Sequence, residues 1–318
     1  PGTLSPVSGV GEVVEEAGRI GLPLIIKAAV GGGGRGMTVV REWREVVPSF
    51  RATRATAQAT FGDSRVYLER FAEAARHVEI QVLADTHGTV VHLGERDCSI
   101  QRRHQKLIEE SPALGLPPDL VRQMAEASVA GARAVNYVGA GTFEFLVYGE
   151  EFAFMEVNCR IQVEHPVTEM LTGVDLVREQ LRIAAGLPLS VRPSDIAPRG
   201  AAVECRINAE DPVRNFIPTP GQLVEFVPPG GPFVRVDTHA YPGWRVPSEY
   251  DSLLAKVIAW GPDRDQALDR LDRALAELRV SGPGVHTTVE LLRRVLADAR
   301  FRACEHTTSF LENSLPQV

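Results

Sequence analysis

The sequence predicts an α+β fold in two parts, a small α/β lid over residues 1–71 and a larger part over 72–318 built on antiparallel strands. Three observations predict it. Helical and strand-like segments alternate up to Phe71, strand follows strand through short turns from Arg76, and two apolar stripes at helical spacing close the chain. At 318 residues the chain is ample for one large or two medium domains.

In the first part, Val10–Ile20 carries apolar residues at helical spacing and breaks at Gly21-Leu22-Pro23. Leu24–Val30 reads as a buried strand interrupted by Lys27, and Met37–Val40 as the strand that follows. Between them lies Gly31–Gly36, GGGGRG. This run formally contains GxGxxG, but a dinucleotide fingerprint needs a helix next, and a strand follows. The GK[ST] of a Walker loop is absent. What remains is a flexible flap whose crowded backbone N–H groups can cover phosphates, with Lys27 reaching a phosphate from the strand below. A mobile loop beside a snorkelling lysine is the plainer reading. It is disfavoured because a buried-type strand rarely keeps an unpartnered lysine. Glu42–Phe61 is helical and ends at Gly62-Asp63-Ser64, Arg65–Phe71 is a short strand carrying Glu69 and Arg70, and Glu73–Arg76 joins the two parts.

In the larger part, His77, Glu79 and Gln81 alternate with Val78, Ile80 and Val82, giving one polar face and one that packs. Asp85–Gly88 turns the chain and Thr89–Leu93 returns as strand. Glu95–Lys106 is dense in charge; if extended, it sets Arg102, His104 and Lys106 on one side, able to bind an anion, and Gln101, Arg103 and Gln105 on the other. A solvated charged loop is the alternative. Pro118–Val135 is a helix, His165-Pro166 turns the chain, and Asp175–Ala185 is a helix closed by Gly186. Residues 200–209 form a strand with Glu204, Arg206 and Asn208 on one face, either a structural ion-pair ladder or part of a site. Turns at Pro218–Gly221 and Pro228–Pro232 separate strands around Gln222–Val227, Phe233–His239 and Ser252–Ala259. Two helices follow, with stripes Leu268, Leu271, Leu275, Leu278 and Val289, Leu292, Leu296, Ala299 that mark core.

The densest chemistry lies in Gly141–Pro166, GTFEFLVYGEEFAFMEVNCRIQVEHP. Two apolar runs flank the polar turn Gly149-Glu150-Glu151, a β-hairpin pattern. With residue 150 as pivot, Phe154 faces Leu146 and Glu156 faces Glu144. Opposed like charges weaken a strand pair unless something cationic sits between them. Alternation puts Glu156 and Asn158 on one face, with Ala153, Met155 and Val157 on the other. The hard oxygens of Glu144, Glu156 and Asn158 then suit Mg²⁺ or Mn²⁺ carried in with a phosphate substrate. If extended, Arg160, Gln162 and Glu164 share a side, a row of cation, amide and carboxylate beside the metal pair. The alternative is an exposed hairpin with a solvated acidic face. Phe143, Phe145, Phe152 and Phe154 argue that the hairpin is too apolar to be peripheral.

The totals narrow the classes. A formal charge of −7 argues against a general nucleic-acid binder, leaving room for a local basic pocket. Cys98, Cys159, Cys205 and Cys304 form no CxxC pair, which speaks against a zinc knuckle or disulfide framework and suits a reducing, cytoplasmic setting. No apolar run reaches membrane-spanning length, and no signal-peptide pattern is present. The opening at Pro1, without Met, suggests part of a longer polypeptide.

With these pieces placed, the sequence resembles the biotin carboxylases, ATP-grasp enzymes that carboxylate biotin on its carrier. The matching stretches are IIKAAVGGGGRGM, RHVEIQVLAD, ERDCSIQRRHQK, GAGTFEF, EVNCRIQVEHPVTEMLTGVDLV and VECRINAEDP, spread over nearly the whole chain. The resemblance implies an ATP-grasp fold entered at its lid domain (1–71) and continued by the large antiparallel-sheet C-terminal catalytic domain (72–318). The family's N-terminal lobe, which completes the nucleotide site, is missing from the likeness. It further implies that Lys27 and the flap, Gly32, Gly33 and Gly34 within it, hold ATP phosphates. Glu69, Arg70 and Phe71 would sit at the adenine edge, with His77, Gln101 and His104 near the nucleotide. Glu144 and Glu156 would ligate Mg²⁺ or Mn²⁺ with Asn158 beside them. Lys106, Arg160, Gln162 and Val163 would surround bicarbonate, Glu164 would be the general base, and Arg206 would stabilise the biotin enolate. Arg70 departs from the lysine expected in many members, which a backbone-mediated adenine contact would tolerate.

The implied reaction turns ATP, bicarbonate and a biotinyl carrier into carboxybiotin, ADP and phosphate through carboxyphosphate. The implied partners are a biotin carboxyl carrier protein or domain, a carboxyltransferase component and a second copy in a homodimer, with no nucleic acid and no membrane. Cytoplasmic fatty acid biosynthesis is the implied setting. Two other readings stand beside this one: another bicarbonate-using ATP-grasp ligase of the carbamoyl-phosphate synthetase kind, and an inactive fragment or assembly module. The Arg160–Glu164 row and the RINAEDP strand favour biotin.

Overall fold

A computed structural model describes residues 2–30 and 36–314, with side chains to Glu312. Gly32, Gly33 and Gly34 lie outside the described residues. Two compact units divide between Ala74 and Ala75. The first contains α1 (Val10–Ile20), β1 (Leu24–Ala28), β2 (Met37–Val40), α2 (Val46–Phe61) and β3 (Val66–Arg70). Its strands form an antiparallel sheet in the order β2-β1-β3. Val13, Ala17 and Ile20 of α1 recur at helical spacing and meet Leu24, Ile26 and Leu68, alternate strand residues, in one cluster with Phe50 of α2. A short 3₁₀ turn, Trp43–Glu45, precedes α2, and Gly62 ends it in the left-handed region with its N–H on the Gln58 carbonyl.

The second unit is organised on one eight-stranded sheet. Its elements include β4 (Arg76–Ala84), β5 (Val90–Arg102), β6 (Gln105–Ser111), α3 (Pro118–Ala134), β7 (Gly139–Tyr148), β8 (Glu151–Asn158), α4 (His165–Thr172), α5 (Leu176–Ala184), β9 (Ala201–Asn208), α6 (Arg264–Glu277) and α7 (Val289–Ala297). From one edge the sheet runs Val234–Thr238, Leu253–Gly261, β9, β6, β5, β4, β7, β8, each neighbour antiparallel. Met124 and Ala132 of α3 pack with Val78, Ile80 and Val82 of β4 and with Phe143 and Phe145 of β7. The leucines of α6 and α7 pack with Val203, Cys205 and Ile207 of β9. Among the described residues no helix is long and apolar enough to cross a membrane.

Five expectations are corrected. The stretch 101–106 is not one extended segment: Arg103 and His104 both have positive φ and close a two-residue hairpin, so Gln101 pairs with Lys106 and Arg102 with Gln105. This breaks the expected face of Arg102, His104 and Lys106, and Arg102 instead bonds Asn215. The sequence lacks the Asn-Gly or Asp-Gly signal that usually marks such a turn. His165-Pro166 does not merely turn the chain; it opens α4, where a proline in the first turn forfeits no hydrogen bond. Glu144 does pair with Glu156, but Phe154 pairs with Phe145 and Leu146 with Ala153. The loop is only Gly149-Glu150, and a bulge at Met155 restores the acidic register. The hairpin is also peripheral, because β8 is a sheet edge and Phe154 is 57% exposed. Finally, Gln222–Val227 splits into two short strands pairing with different partners.

Candidate active site

One register row crosses four strands of the large sheet: Glu156 of β8, Glu144 of β7, Glu79 of β4 and Arg96 of β5 stand directly opposite one another in turn. Three glutamates side by side need compensation, and two basic residues supply most of it. Arg96 is wholly buried and donates from Nε to Glu79 at 2.6 Å. It also donates to Gln81, Thr168, Thr142 and Gln162, so it joins β4, β7, α4 and the segment before α4. Lys106, arriving from β6, donates from Nζ to Glu79 at 2.6 Å, Glu144 at 2.9 Å and Glu164 at 2.6 Å. Burial works to raise the Glu79 carboxyl, but Lys106 and then Arg96 bring it down to about 2. Glu144 is likewise lifted by burial, yet His77 and Lys106 hold it well below the ordinary carboxylate range. Burial opposes the charge of Lys106, and Glu79 leads the carboxylates that nevertheless raise its ammonium well above the usual lysine value.

A cavity of about 290 Å³ opens over this row. It is lined by His77, His104, Lys106, Glu144, Glu156, Asn158, Arg160, Gln162, Val163, Glu164 and Arg206, all proposed from sequence, together with Gln105, Asn208, Asp251 and Leu253. Glu144 lies 3.1 Å from His77 Nε2 and accepts from Asn158 Nδ2 at 3.0 Å and Gln162 Nε2 at 2.9 Å. Gln101 Nε2 lies 2.5 Å from His77 Nδ1, on the side of the ring away from Glu144. The 160–164 segment is not the extended row expected. It bends into the start of α4, which buries Gln162 and Glu164 and leaves Arg160 exposed, and all three still line the cavity. Glu164 is gripped from both sides, by Lys106 on Oε1 and by Arg206 Nη2 on Oε2 at 2.9 Å. Arg206 takes its second carboxylate from Glu109, at 2.6 Å, and not from Glu204 in a ladder along its own strand.

In the first unit, Lys27 of β1 donates to Glu69 of β3 at 2.9 Å, both partly exposed. Arg70 is exposed, and Phe71 carries the Arg41 guanidinium over its ring.

Sequence reasoning did not single out Arg96, Glu109 and Lys256, and saw Glu79 only as part of a polar face. Lys256 donates to the Val163 carbonyl at 2.7 Å and pins the cavity-lining segment. Glu79 was within reach, because it shares a strand face with His77. The other three are identified by partners far along the chain.

The donor set suits an oxyanion: Lys106, Arg160, Gln162 and Arg206 present positive charge or N–H groups to one cavity. Glu144 and Glu156, opposed in register with Asn158 beside them, offer hard oxygens that fit a divalent cation such as Mg²⁺ or Mn²⁺.

Comparison with known proteins agrees with this chemistry. Residues 1–192 match the family model of the carbamoyl-phosphate synthase L chain ATP-binding domain, and residues 204–313 match the biotin carboxylase C-terminal domain. Biotin carboxylase 1 of Bacillus subtilis (strain 168) is 50% identical over 314 residues, covering 98% of this chain and 69% of the relative. Among solved structures, the biotin carboxylase–β-γ-ATP complex from Campylobacter jejuni superposes with a TM-score of 0.93 at 40% identity, over 98% of this chain and 69% of the other. The biotin carboxylase domain dimer of Hydrogenobacter thermophilus 2-oxoglutarate carboxylase, complexed with MgADP, ADP and bicarbonate, gives 0.92 at 43% identity, again over 98% and 69%. The chain belongs to the biotin carboxylase family of ATP-grasp enzymes.

Proposed function

We propose that this chain carries the site at which bicarbonate, activated by ATP as carboxyphosphate, carboxylates biotin held on a carrier protein or domain. The observation that carries the reading is Glu164 held between Lys106 and Arg206 in a cavity also lined by Arg160 and Gln162. In this reading Lys106, Arg160, Gln162 and the Val163 backbone hold bicarbonate in line with the γ-phosphate. An arriving anion divides the charge of Lys106 and Arg206 between two acceptors, which frees Glu164 to take the bicarbonate proton. Arg206 then stabilises the oxyanion on the biotin ureido group. Lys27 and the glycine flap with Gly32, Gly33 and Gly34 serve the phosphates, Glu69, Arg70 and Phe71 the adenine edge, and His77, Gln101 and His104 the nucleotide. Glu144, Glu156 and Asn158 would hold Mg²⁺ or Mn²⁺, which when bound offsets the negative charge of the β- and γ-phosphates.

A carboxyltransferase component as the next partner, a homodimer as the assembled form, and the cytoplasm as the setting complete the proposal. The dimer in the Hydrogenobacter thermophilus structure supports the homodimer. The test is Glu164→Gln. It is expected to lower biotin carboxylation by about 10²–10⁴-fold with nucleotide binding nearly intact, and full turnover in the variant would refute the base role.

A further inference from the structure

Near the middle of the large sheet, where β6 meets β9, Glu109 stands directly opposite Glu204. Both are wholly buried. Glu109 Oε1 accepts from Arg206 Nε, while Glu109 Oε2 and both oxygens of Glu204 have no hydrogen-bond partner among the described residues. Opposed residues of an antiparallel pair point to one face with Cβ atoms about 5 Å apart, so the two buried carboxyl groups are neighbours on that face. Two carboxylates so placed cannot both stay ionised, because low-dielectric surroundings magnify their repulsion. A single proton between them supplies an O–H···O⁻ bond and removes that conflict.

Among the described residues, the charged and titratable groups that act on the pair are Arg206 and Cys205 from β9, Lys106 from β6, Glu164 from the turn before α4, Lys256 from the strand Leu253–Gly261, and Cys98 from β5. Lys106 is shared among Glu79, Glu144 and Glu164, and Lys256 is turned to the Val163 carbonyl. Among the described residues no cation bonds Glu204. Ile258, its register partner on the far side, instead joins Ala202 and Val167 in an apolar cluster. Burial, then the nearby Glu109, pushes the Glu204 carboxyl well above the ordinary range; burial also lifts Glu109, to about 7, against the pull of Arg206.

We propose that Glu109 and Glu204 hold one proton between them, and that this pair positions Arg206, gripping Nε from behind so that Nη2 stays aimed at Glu164. A second full charge behind Arg206 would draw the guanidinium away from Glu164, and the retained proton prevents this. The catalytic half of the proposal rests on the biotin role given to Arg206 above; the proton does not.

Infrared spectroscopy of the whole chain at about pH 7 reads the proton without any assay of activity, because ordinary carboxyls have lost theirs by then. A protonated-carboxyl C=O band is expected in the wild type and is lost in Glu204→Gln. A wild type without the band, or a band undiminished in the variant, overturns the proposal whether or not the chain carboxylates biotin. For the positioning half, Glu109→Gln keeps size and an acceptor oxygen but removes the charge. Carboxylation of free biotin should fall by roughly 10-fold or more, while bicarbonate-dependent ATP cleavage without biotin stays within about 3-fold. Equal loss of both would make Glu109 merely structural and overturn its positioning role.

Discussion

Two of the opposed acidic pairs in the large sheet answer the same problem differently. At β7–β8 Glu144 faces Glu156, and at β6–β9 Glu109 faces Glu204. The first pair lies at the sheet edge beside a cavity, with Glu156 exposed and Glu144 surrounded by His77, Lys106, Asn158 and Gln162. The second is sealed in the sheet interior with one arginine for two acids. Where donors and solvent reach, like charges are kept, and in the proposed function they become a place for a cation. Where they do not, a proton is the cheaper neutraliser. Local strand register is identical in kind at both sites; access decides the chemistry.

The comparison breaks most severely at the edge pair. Replacing Glu144 and Glu156 together by glutamine is expected to weaken Mg-ADP binding by about 100-fold or more, since both anionic ligands go; unchanged affinity in a titration would end the metal reading. Next comes Lys106→Met, which strands the ionised carboxylates of the cavity row. About 3–5 kcal/mol of stability should be lost, measured by denaturant unfolding, as for a buried ion pair deprived of one partner. Arg206→Gln should lower carboxylation of biotin more than ATP cleavage, by roughly 10-fold or more in the ratio; an unchanged ratio would leave Arg206 a structural link.

The smallest effect is the sharpest on sign. Glu204 keeps its proton in the folded state above its ordinary value of 4.5, so the folded chain binds more protons than the unfolded one. That contribution is fully present below the ordinary value and is lost as pH rises, by about 1.4 kcal/mol per pH unit per proton. Glu204→Gln should therefore flatten the decline of stability as pH rises above the ordinary value of 4.5. Glu79 has the opposite sign: its carboxyl, brought to about 2, stabilises above the ordinary value of 4.5 and loses that effect as pH falls. Stability measured across pH in both single variants separates the two, and slopes of equal sign would contradict the distinction between a buried acid held by cations and one that faces another acid.

Much of this was readable one strand at a time. Alternation placed Lys27 on a strand, Glu144 opposite Glu156, and Glu204, Arg206 and Asn208 along one strand. What escaped was of two kinds. Turn chemistry without its usual residues hid the Arg103-His104 hairpin, and a histidine–proline step that reads as a break opens α4. The larger omission was partnership. Arg206 bonds Glu109, 97 positions away, and Glu164, 42 away; nothing local to any of the three announces the others. The two matched family models meet between residues 192 and 204, yet β6 pairs with β9 across that boundary, so Arg206 reaches Glu164 only because one sheet spans both.

The sequence by itself determined the two-part α+β organisation, the polar and apolar faces of the strands, the acidic pair at the hairpin and the family motifs. These are properties of neighbouring residues, set by a repeat of two along a strand and of 3.6 along a helix. Tertiary structure alone decided which acid meets which base. Sheet order brings Lys106 and Arg206 to either side of Glu164, sets Arg96 opposite Glu79, and leaves Glu204 facing another acid with no cation of its own among the described residues.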